Sequence, residues 1–282
     1  TEAAVDHLIF GVDVSADKRQ EIKAAMLSGR VEAHIAVVQQ ADQIHNPDAR
    51  LTIEPLNTLP ALSQYVDAPN GSHGGDSPRH RLCFWELQEV TTKWRFFQGT
   101  VEQTQPYSGR EHIFSWPDDG AYHRESPNAR IQGDNVIGRQ GVVVSMMRIL
   151  PVTLYSGDLF DISCTPLVPF DLANLLPIWA FCSSGSYLDE VRKIDQKVNV
   201  TNATLAKVPF DLAHWKKIAT EKFPHGLPKP FSSESTQWLF NGHPLGADQP
   251  LHVAVARLVG YEWPRQTGSS FIDCPALWPD GL

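Results

Sequence analysis

Long apolar runs are missing from this 282-residue chain. The longest candidate, residues 167–181, is interrupted by Pro169, Asp171, Asn174 and Pro177, so it is too short and too broken to cross a bilayer as a helix. The opening residues do not read as a secretory signal; they read as the interior of a longer protein, an excised piece starting at Thr1. Cysteine is scarce. Cys83, Cys164, Cys182 and Cys274 stand far apart with no C-x-x-C pair, which argues against a zinc ribbon or a thioredoxin-like centre. Four reduced, mostly buried thiols in a cytoplasmic protein are expected instead. Catalytic signatures are absent too. The 11 histidines show no H-E-x-x-H spacing, and no G-x-S-x-G elbow occurs. Gly71, Gly74 and Gly75 fit neither a dinucleotide fingerprint nor a phosphate loop. Positive charge is also in deficit: 24 Lys and Arg face 32 Asp and Glu, for a net charge of −8. Free-standing DNA-binding domains are usually basic, because neutralising phosphates drives their affinity.

Aromatics are what the chain has in quantity. Eight Trp and 13 Phe, within a hydrophobic content of 42%, can bury a substantial core. The length suits one large domain or two smaller ones. Residues 16–40 carry Ile22, Met26, Val31 and Ile35 or Val38 at helical spacing and are expected to form helix. A short strand is expected at 51–56 and a loop at 66–81, where turn formers crowd. Aromatic strands are expected within 82–100, and 105–132 is turn-rich, with Trp116–Gly120 a clear turn. The best β pattern runs from 141 to 160, with Val142, Val143 and Val144 a buried strand and Ser156-Gly157-Asp158 a turn.

The chain is organised around residues 166–215. Pro169 and Asp171 should open a helix with Leu172, Leu175, Leu176, Trp179 and Ala180 on its apolar face, and Pro177 should kink it or mark a new start. A second helix is expected over 187–197, a polar turn and short strand over 198–208, and a third helix after Asp211. Further on, 251–260 reads as a helix with Val253, Val255, Ala256 and Val259 facing inward.

Two basic groups interrupt the acidic background. Arg79, Arg81, Lys93 and Arg95 interleave with Trp85, Trp94, Phe96 and Phe97, a mixture able to bind nucleic acid by charge and stacking. From 192 to 217, six cations, Arg192, Lys193, Lys197 and Lys207 among them, face only Asp195 and Asp211. Asn199 and Asn202 add polar side chains in the same stretch. The candidate DNA-contacting residues are therefore Arg79, Arg81, Lys93, Arg95, Arg192, Lys193, Lys197, Asn199, Asn202 and Lys207. The competing reading is a β-sheet core and helix faces whose charges are simply solvated, with the Asn side chains serving local backbone.

Four short motifs carry a resemblance. They are Gly75-Asp76 followed by Phe84-Trp85-Glu86, the sequence YSGDLFD from Tyr155 to Asp161, TQWLFNGHP at 236–244, and AVARLVGYEWP at 254–264. In this order the chain resembles the C-terminal target-recognition region of large adenine-specific (N6) DNA methyltransferases of the restriction-modification and phage-defence type. The resemblance runs over residues 44–264 and implies an α/β (α+β) fold: a twisted, mostly antiparallel sheet flanked by helices, like the target-recognition domains of type I specificity subunits. It further implies a helical connector at 1–65, a recognition domain at 66–215 and a helical, Pro/Trp-rich tail at 216–282. The implied partners are double-stranded DNA and an upstream methyltransferase domain. S-adenosylmethionine would belong to that parent protein and not to this chain. The family's Asn-Pro-Pro-aromatic motif and cofactor-binding glycine turn are not here; the sole Asn-Pro, Asn46-Pro47, continues as Asp48-Ala49. No catalytic, cofactor or metal residue is assigned, and catalysis is expected upstream of Thr1. Two rival readings are a scaffold joining subunits of a defence complex and an enzyme with a small-molecule site among the aromatics.

Overall fold

The computed structural model describes residues 7–14, 17–44, 46, 51–52, 59–230, 236, 247 and 249–263. The predicted strand at 51–56, the motif at 236–244 and Cys274 lie wholly or mostly outside them. The chain opens with strand β1 (Leu8–Val12), helix α1 (Gln20–Leu27), strand β2 (Ile35–Gln39) and the short helix α2 (Gln40–Gln43). β1 and β2 form an antiparallel ribbon, with Ile9 opposite Val38 and Val12 opposite Ile35. The helix expected over 16–40, divided or not at Gly29, is thereby corrected. Its second half is strand, because Ile35, Val37 and Val38 are β-branched residues that lose side-chain freedom in a helix and pair readily with β1.

Next come β3 (Val66–Asp67), α3 (Ser77–His80), β4 (Arg81–Cys83), β5 (Trp94–Gln98), β6 (His112–Ser115) and α4 (Ala121–Glu125). They are followed by β7 (Gly141–Ser145), β8 (Val152–Tyr155), β9 (Leu159–Phe160) and β10 (Cys164–Pro169). Four helices complete this part: α5 (Leu175–Cys182), α6 (Gly185–Ile194), α7 (Asn202–Ala206) and α8 (Leu212–Lys222). α9 (Pro250–Leu258) is the last helix among the described residues.

β3 to β10 build two four-stranded sheets, ordered β3-β10-β7-β8 and β4-β6-β5-β9. Every pairing is antiparallel except β5 with β9. The mixed α/β class with mostly antiparallel pairing is as expected; the number of sheets is not, since one central sheet was anticipated. β4, β6 and β5 pair among themselves, and the turn after β8 carries the chain across to add β9 to them.

The first sheet is rich in valine, and every residue of β7, β8 and β10 is buried. Val142, Val144, Val152, Leu154 and Leu167 face a helical layer that includes Ile178, Phe181, Tyr187, Val191, Leu205 and Phe210. Val143, Tyr155, Cys164 and Val168 pack on the other side with Val136 and Phe160. Burial on both faces explains why these strands show apolar runs and little alternation. It also hid β10 from the sequence. Pro166 and Pro169 argue against a central strand, and Pro169 reads with Asp171 as a helix opener; instead both prolines lie in β10, which pairs with β7 and β3 at once, and Pro169 stands opposite Val66.

The second sheet is aromatic. Ile113, Leu82, Trp94 and Phe96 line the face that Phe84, α9, Tyr261 and Trp263 cover. Phe97, Phe114, Trp116 and Leu159 pack on the opposite face. Its strand β6 lies between β4 and β5, inside the stretch read as turn-rich and assigned no strand. Four residues between turn formers are too few to show a period.

Among the helices, Asp171 accepts a hydrogen bond from the Ala173 N–H at 2.9 Å and opens a 3-10 turn, Leu172–Asn174. α5 then begins at Leu175, so Pro177 falls in its first turn, where a missing N–H costs nothing. Leu172 is exposed and does not join the apolar face expected of it. Asp211 caps α8 by accepting from the His214 N–H at 3.0 Å. The segment 198–208, expected as a turn and strand, contains α7. On α9 only Val253 and Ala256 are buried; Val255 and the following Val259 are not, because the helix packs through one narrow strip.

Candidate nucleic-acid interface

The two basic groups occupy different parts of the fold. Arg81, Phe114 and Arg95 stand side by side across β4, β6 and β5, so both guanidinium stems leave the same face of the aromatic sheet. Each meets an aspartate: Arg81 Nη1 lies 3.3 Å from Asp161 Oδ2, and Arg95 Nη2 lies 3.3 Å from Asp119 Oδ1. Arg79 is exposed in the last turn of α3, and Lys93 is exposed just before β5. Beneath this face the turn Trp116–Gly120 is left-handed at two aspartates, Asp118 (φ 50°) and Asp119 (φ 54°), and Trp116 donates to Asp119 at 3.1 Å.

The second group forms a ridge. The β7–β8 hairpin connection, Met146 to Leu150, lies against residues 195–200. The Arg148 N–H donates to the Val198 carbonyl at 3.0 Å, and the Val200 N–H to the Met146 carbonyl at 2.9 Å. Met147 and Asn199 are bridge partners. Arg192, in the last turn of α6, holds the two strands together. Its guanidinium donates to the carbonyls of Arg148 and Lys197 and, at 3.2 Å, to that of Asp195. Asp195 is buried and accepts from the Lys197 N–H at 2.9 Å. Lys193 pairs with Glu190 at 2.8 Å. Lys197, Asn199 and Arg148 are exposed along the crest.

The structure thus brings Arg192, Lys193, Lys197 and Asn199 together and adds Arg148, which the sequence reading missed. Asn202 and Lys207 belong to α7 instead. Asn202 donates its side-chain amide to the Ala68 carbonyl at 2.9 Å, tying α7 to the end of β3, and Lys207 is half-buried at the helix end. A signal for Arg148 was present in Ser145 to Pro151, S-M-M-R-I-L-P, a tight connection containing no Gly, Asn or Asp. Without those residues the chain still enters the left-handed region, at Arg148 (φ 56°) and Leu150 (φ 49°).

The motifs that carry the resemblance are joints of the fold. Tyr155 ends β8 in the valine sheet, Phe160 lies in β9 of the aromatic sheet, and the turn between them links the two. Gly157 (φ 91°) has no room for a side chain: a Cβ would sit 2.8 Å from the Gly138 backbone. Arg110 Nε forms an ion pair with Asp158 Oδ2 at 2.6 Å, and the buried Arg110 guanidinium lies over the Phe96 ring at 4.5 Å. Tyr155 donates its hydroxyl to the Asp158 carbonyl at 2.6 Å. Asp161 receives Arg81 and the Ser163 N–H. Phe84-Trp85-Glu86 meets α9 and the GYEW sequence that follows it: Trp85 stacks on His252 of α9 at 5.2 Å, and Phe84 packs on Tyr261 at 5.2 Å.

Burial shifts several titratable groups among the described residues. Burial pushes the Cys164 and Cys182 thiols up, and burial together with the Glu86 charge pushes Cys83 up to about 11. Burial holds His112 and His123 below the usual imidazole range, and His123 Nε2 is 2.8 Å from the Ser115 carbonyl. Among the described residues no three His, Cys, Asp or Glu side chains are grouped to hold a metal ion. Nor is any helix among them long and apolar enough to cross a membrane.

No family model matches this chain, and neither does any curated protein. Among solved structures, one similar chain is the HsdS subunit from Thermoanaerobacter tengcongensis, with a TM-score of 0.33 and 12% identity over 78% of this chain. The match spans 47% of that subunit, less than half its length. Similarity at that level fixes neither fold nor function.

Proposed function

We propose that this chain is a DNA-binding target-recognition module, serving a protein that modifies adenine in duplex DNA. The observation that carries the reading is the ridge: Arg148, Lys197 and Asn199 stand exposed on a crest that Arg192 stiffens from beneath. Charges fixed on a rigid support suit phosphate contact, because little side-chain and loop freedom is lost on binding. The sequence resemblance to N6-adenine methyltransferases adds the substrate. In this reading a methylating domain elsewhere in the parent binds S-adenosylmethionine, and the present chain holds the duplex and presents it. The net charge of −8 limits the contact to a local patch.

The test is titration of a fluorescently labelled mixed-sequence duplex between about 50 and 200 mM salt. Expected is binding that weakens steeply with salt. Lys197→Glu and Arg148→Glu should lower affinity for all sequences alike, since phosphate contacts carry no sequence information. Unchanged binding in both variants would remove the ridge from the interface. The isolated chain should transfer no methyl group from labelled S-adenosylmethionine to DNA; transfer would overturn the assignment of chemistry to another domain.

A scaffold role is favoured by one separate feature. Leu8, Phe10, Ile35 and Val37 share one face of the β1–β2 ribbon and are all exposed. A two-stranded ribbon is marginal in water without cover. Replacing Phe10 and Val37 by Ser should leave DNA binding intact if the recognition reading holds.

A further inference from the structure

The crest of the ridge is not only cationic. Met147, Ile149 and Val198 are exposed there at 47%, 63% and 62%, on either side of Arg148 and Lys197. Scattered apolar side chains on a surface need no explanation. These three are not scattered. Met147 and Ile149 flank Arg148 in one hairpin connection, and Val198 accepts that arginine's N–H from the neighbouring strand. Connections of this kind are normally built from Gly, Asn, Asp and Ser. This one holds two long apolar side chains in water while its backbone adopts left-handed φ at Arg148 and Leu150. Such a conformation costs about 1–3 kcal/mol per residue. The rest of the fold over-determines it: Leu150 is buried in the core below, Arg192 donates to the Arg148 carbonyl, and the Ser145 N–H donates to the Pro151 carbonyl at 2.9 Å across the base of the loop. The knob is rigid, projects apolar atoms and is edged by positive charge. Among nearby acids, Asp195 is buried and Glu190 is paired with Lys193, which leaves Asp189 on α6 as an exposed one.

We propose that Met147 and Ile149 form a wedge that enters a base step of duplex DNA, with Arg148 and Lys197 on the flanking phosphates. The proposal rests on the DNA-binding reading above and gives the ridge a mechanical task within it. Base faces are apolar and lie between rows of phosphate, so an apolar tip with a cationic edge complements them. Wedges of Leu, Ile, Met or Phe unstack such steps and kink the duplex. A lipid surface is the poorer fit, because binding there scales with buried apolar area and three side chains offer little. Unstacking also lowers the cost of extruding a neighbouring base, which is the step a base-modifying partner needs.

The test uses the 282-residue chain and a mixed-sequence duplex pool carrying 2-aminopurine in place of adenine, whose fluorescence rises on unstacking. Binding is followed in parallel by anisotropy. The expected result is a several-fold fluorescence rise that saturates with binding. Met147→Gln with Ile149→Gln should abolish the rise and weaken binding about tenfold, equivalent to about 1.4 kcal/mol. Met147→Leu with Ile149→Val should keep both signals, which separates loss of apolar bulk from loss of folding. Binding by the native chain with no fluorescence rise overturns the wedge and leaves the DNA reading standing. A failure to bind duplex at all overturns both. The wedge is also overturned if the Gln variant loses affinity for phosphatidylserine vesicles while its DNA signals stay native.

Discussion

The ridge and the aromatic sheet each carry clustered cations, and the fold uses them differently. On the sheet, Arg81 and Arg95 face Asp161 and Asp119 and so reach solvent already partnered. On the ridge, Arg192 gives its donors to backbone carbonyls, and it is this that allows Arg148 and Lys197 to stand free of the body on a fixed support. A cation in a sequence is a charge, but whether it serves structure or a ligand depends on which acceptors the chain folds beside it.

The largest effect separating the regions should come from beneath the aromatic sheet. Arg110→Met leaves Asp158 nearly buried without its guanidinium, and loss of one partner of such a pair costs about 3–5 kcal/mol. Adding Asp158→Leu should restore most of that stability in urea denaturation. Next, Arg192→Ala strips the carbonyls of Arg148, Asp195 and Lys197 of a charged donor, with an expected loss of about 2 kcal/mol. Amide exchange at Arg148 and Val200 should quicken in that variant, while exchange at Phe97 in the aromatic sheet should not. For DNA, Lys197→Gln should reduce the slope of affinity against salt by about 1 phosphate contact. Arg95→Gln should change it less, because Asp119 already offsets that charge. Equal effects of the two would erase the distinction drawn between the regions.

Acid should act on the sheet before the ridge. His112 and His123 have folded values lowered by burial, so the unfolded chain takes up protons that the folded chain refuses. Their contribution to stability is complete above about pH 6.5 and drains away as the pH falls below it. Glu111, raised by burial, works in the opposite sense: its contribution is complete below about pH 4.3 and is lost as the pH rises through its folded value. His123→Phe should flatten the loss between pH 6.5 and 5 seen by thermal melting. The smallest effect is chemical: with its thiol raised to about 11, Cys83 should react far more slowly at neutral pH than an unfolded cysteine.

Much of the fold is legible where local chemistry and tertiary role coincide. Val142-Val143-Val144 reads as a buried strand and is one. Asp171 and Asp211 read as helix openers, and each accepts the capping N–H. Legibility fails where the two part company. β10 contains prolines at positions a central strand should refuse, and β6 is too short to show a period. Ile35 to Val38 mimic helical spacing while pairing with β1. At the candidate interface, Arg192 and Lys197 are visible as part of a basic cluster, whereas Arg148 lies alone in sequence, 44 positions from the Arg192 side chain that grips its carbonyl.

By itself the sequence determined the residue types: which segments are β-branched or aromatic enough for strands, which aspartates start helices, and that charge is too sparse and too negative for a broad electrostatic grip. Tertiary structure alone decided partners. Burial on both faces of the valine sheet, the meeting of Phe84 with Tyr261 and the placing of Arg148 beside Val198 all depend on contacts between distant segments. Such contacts are selected by the free energy of the whole packed arrangement, and local sequence preference holds no term for them.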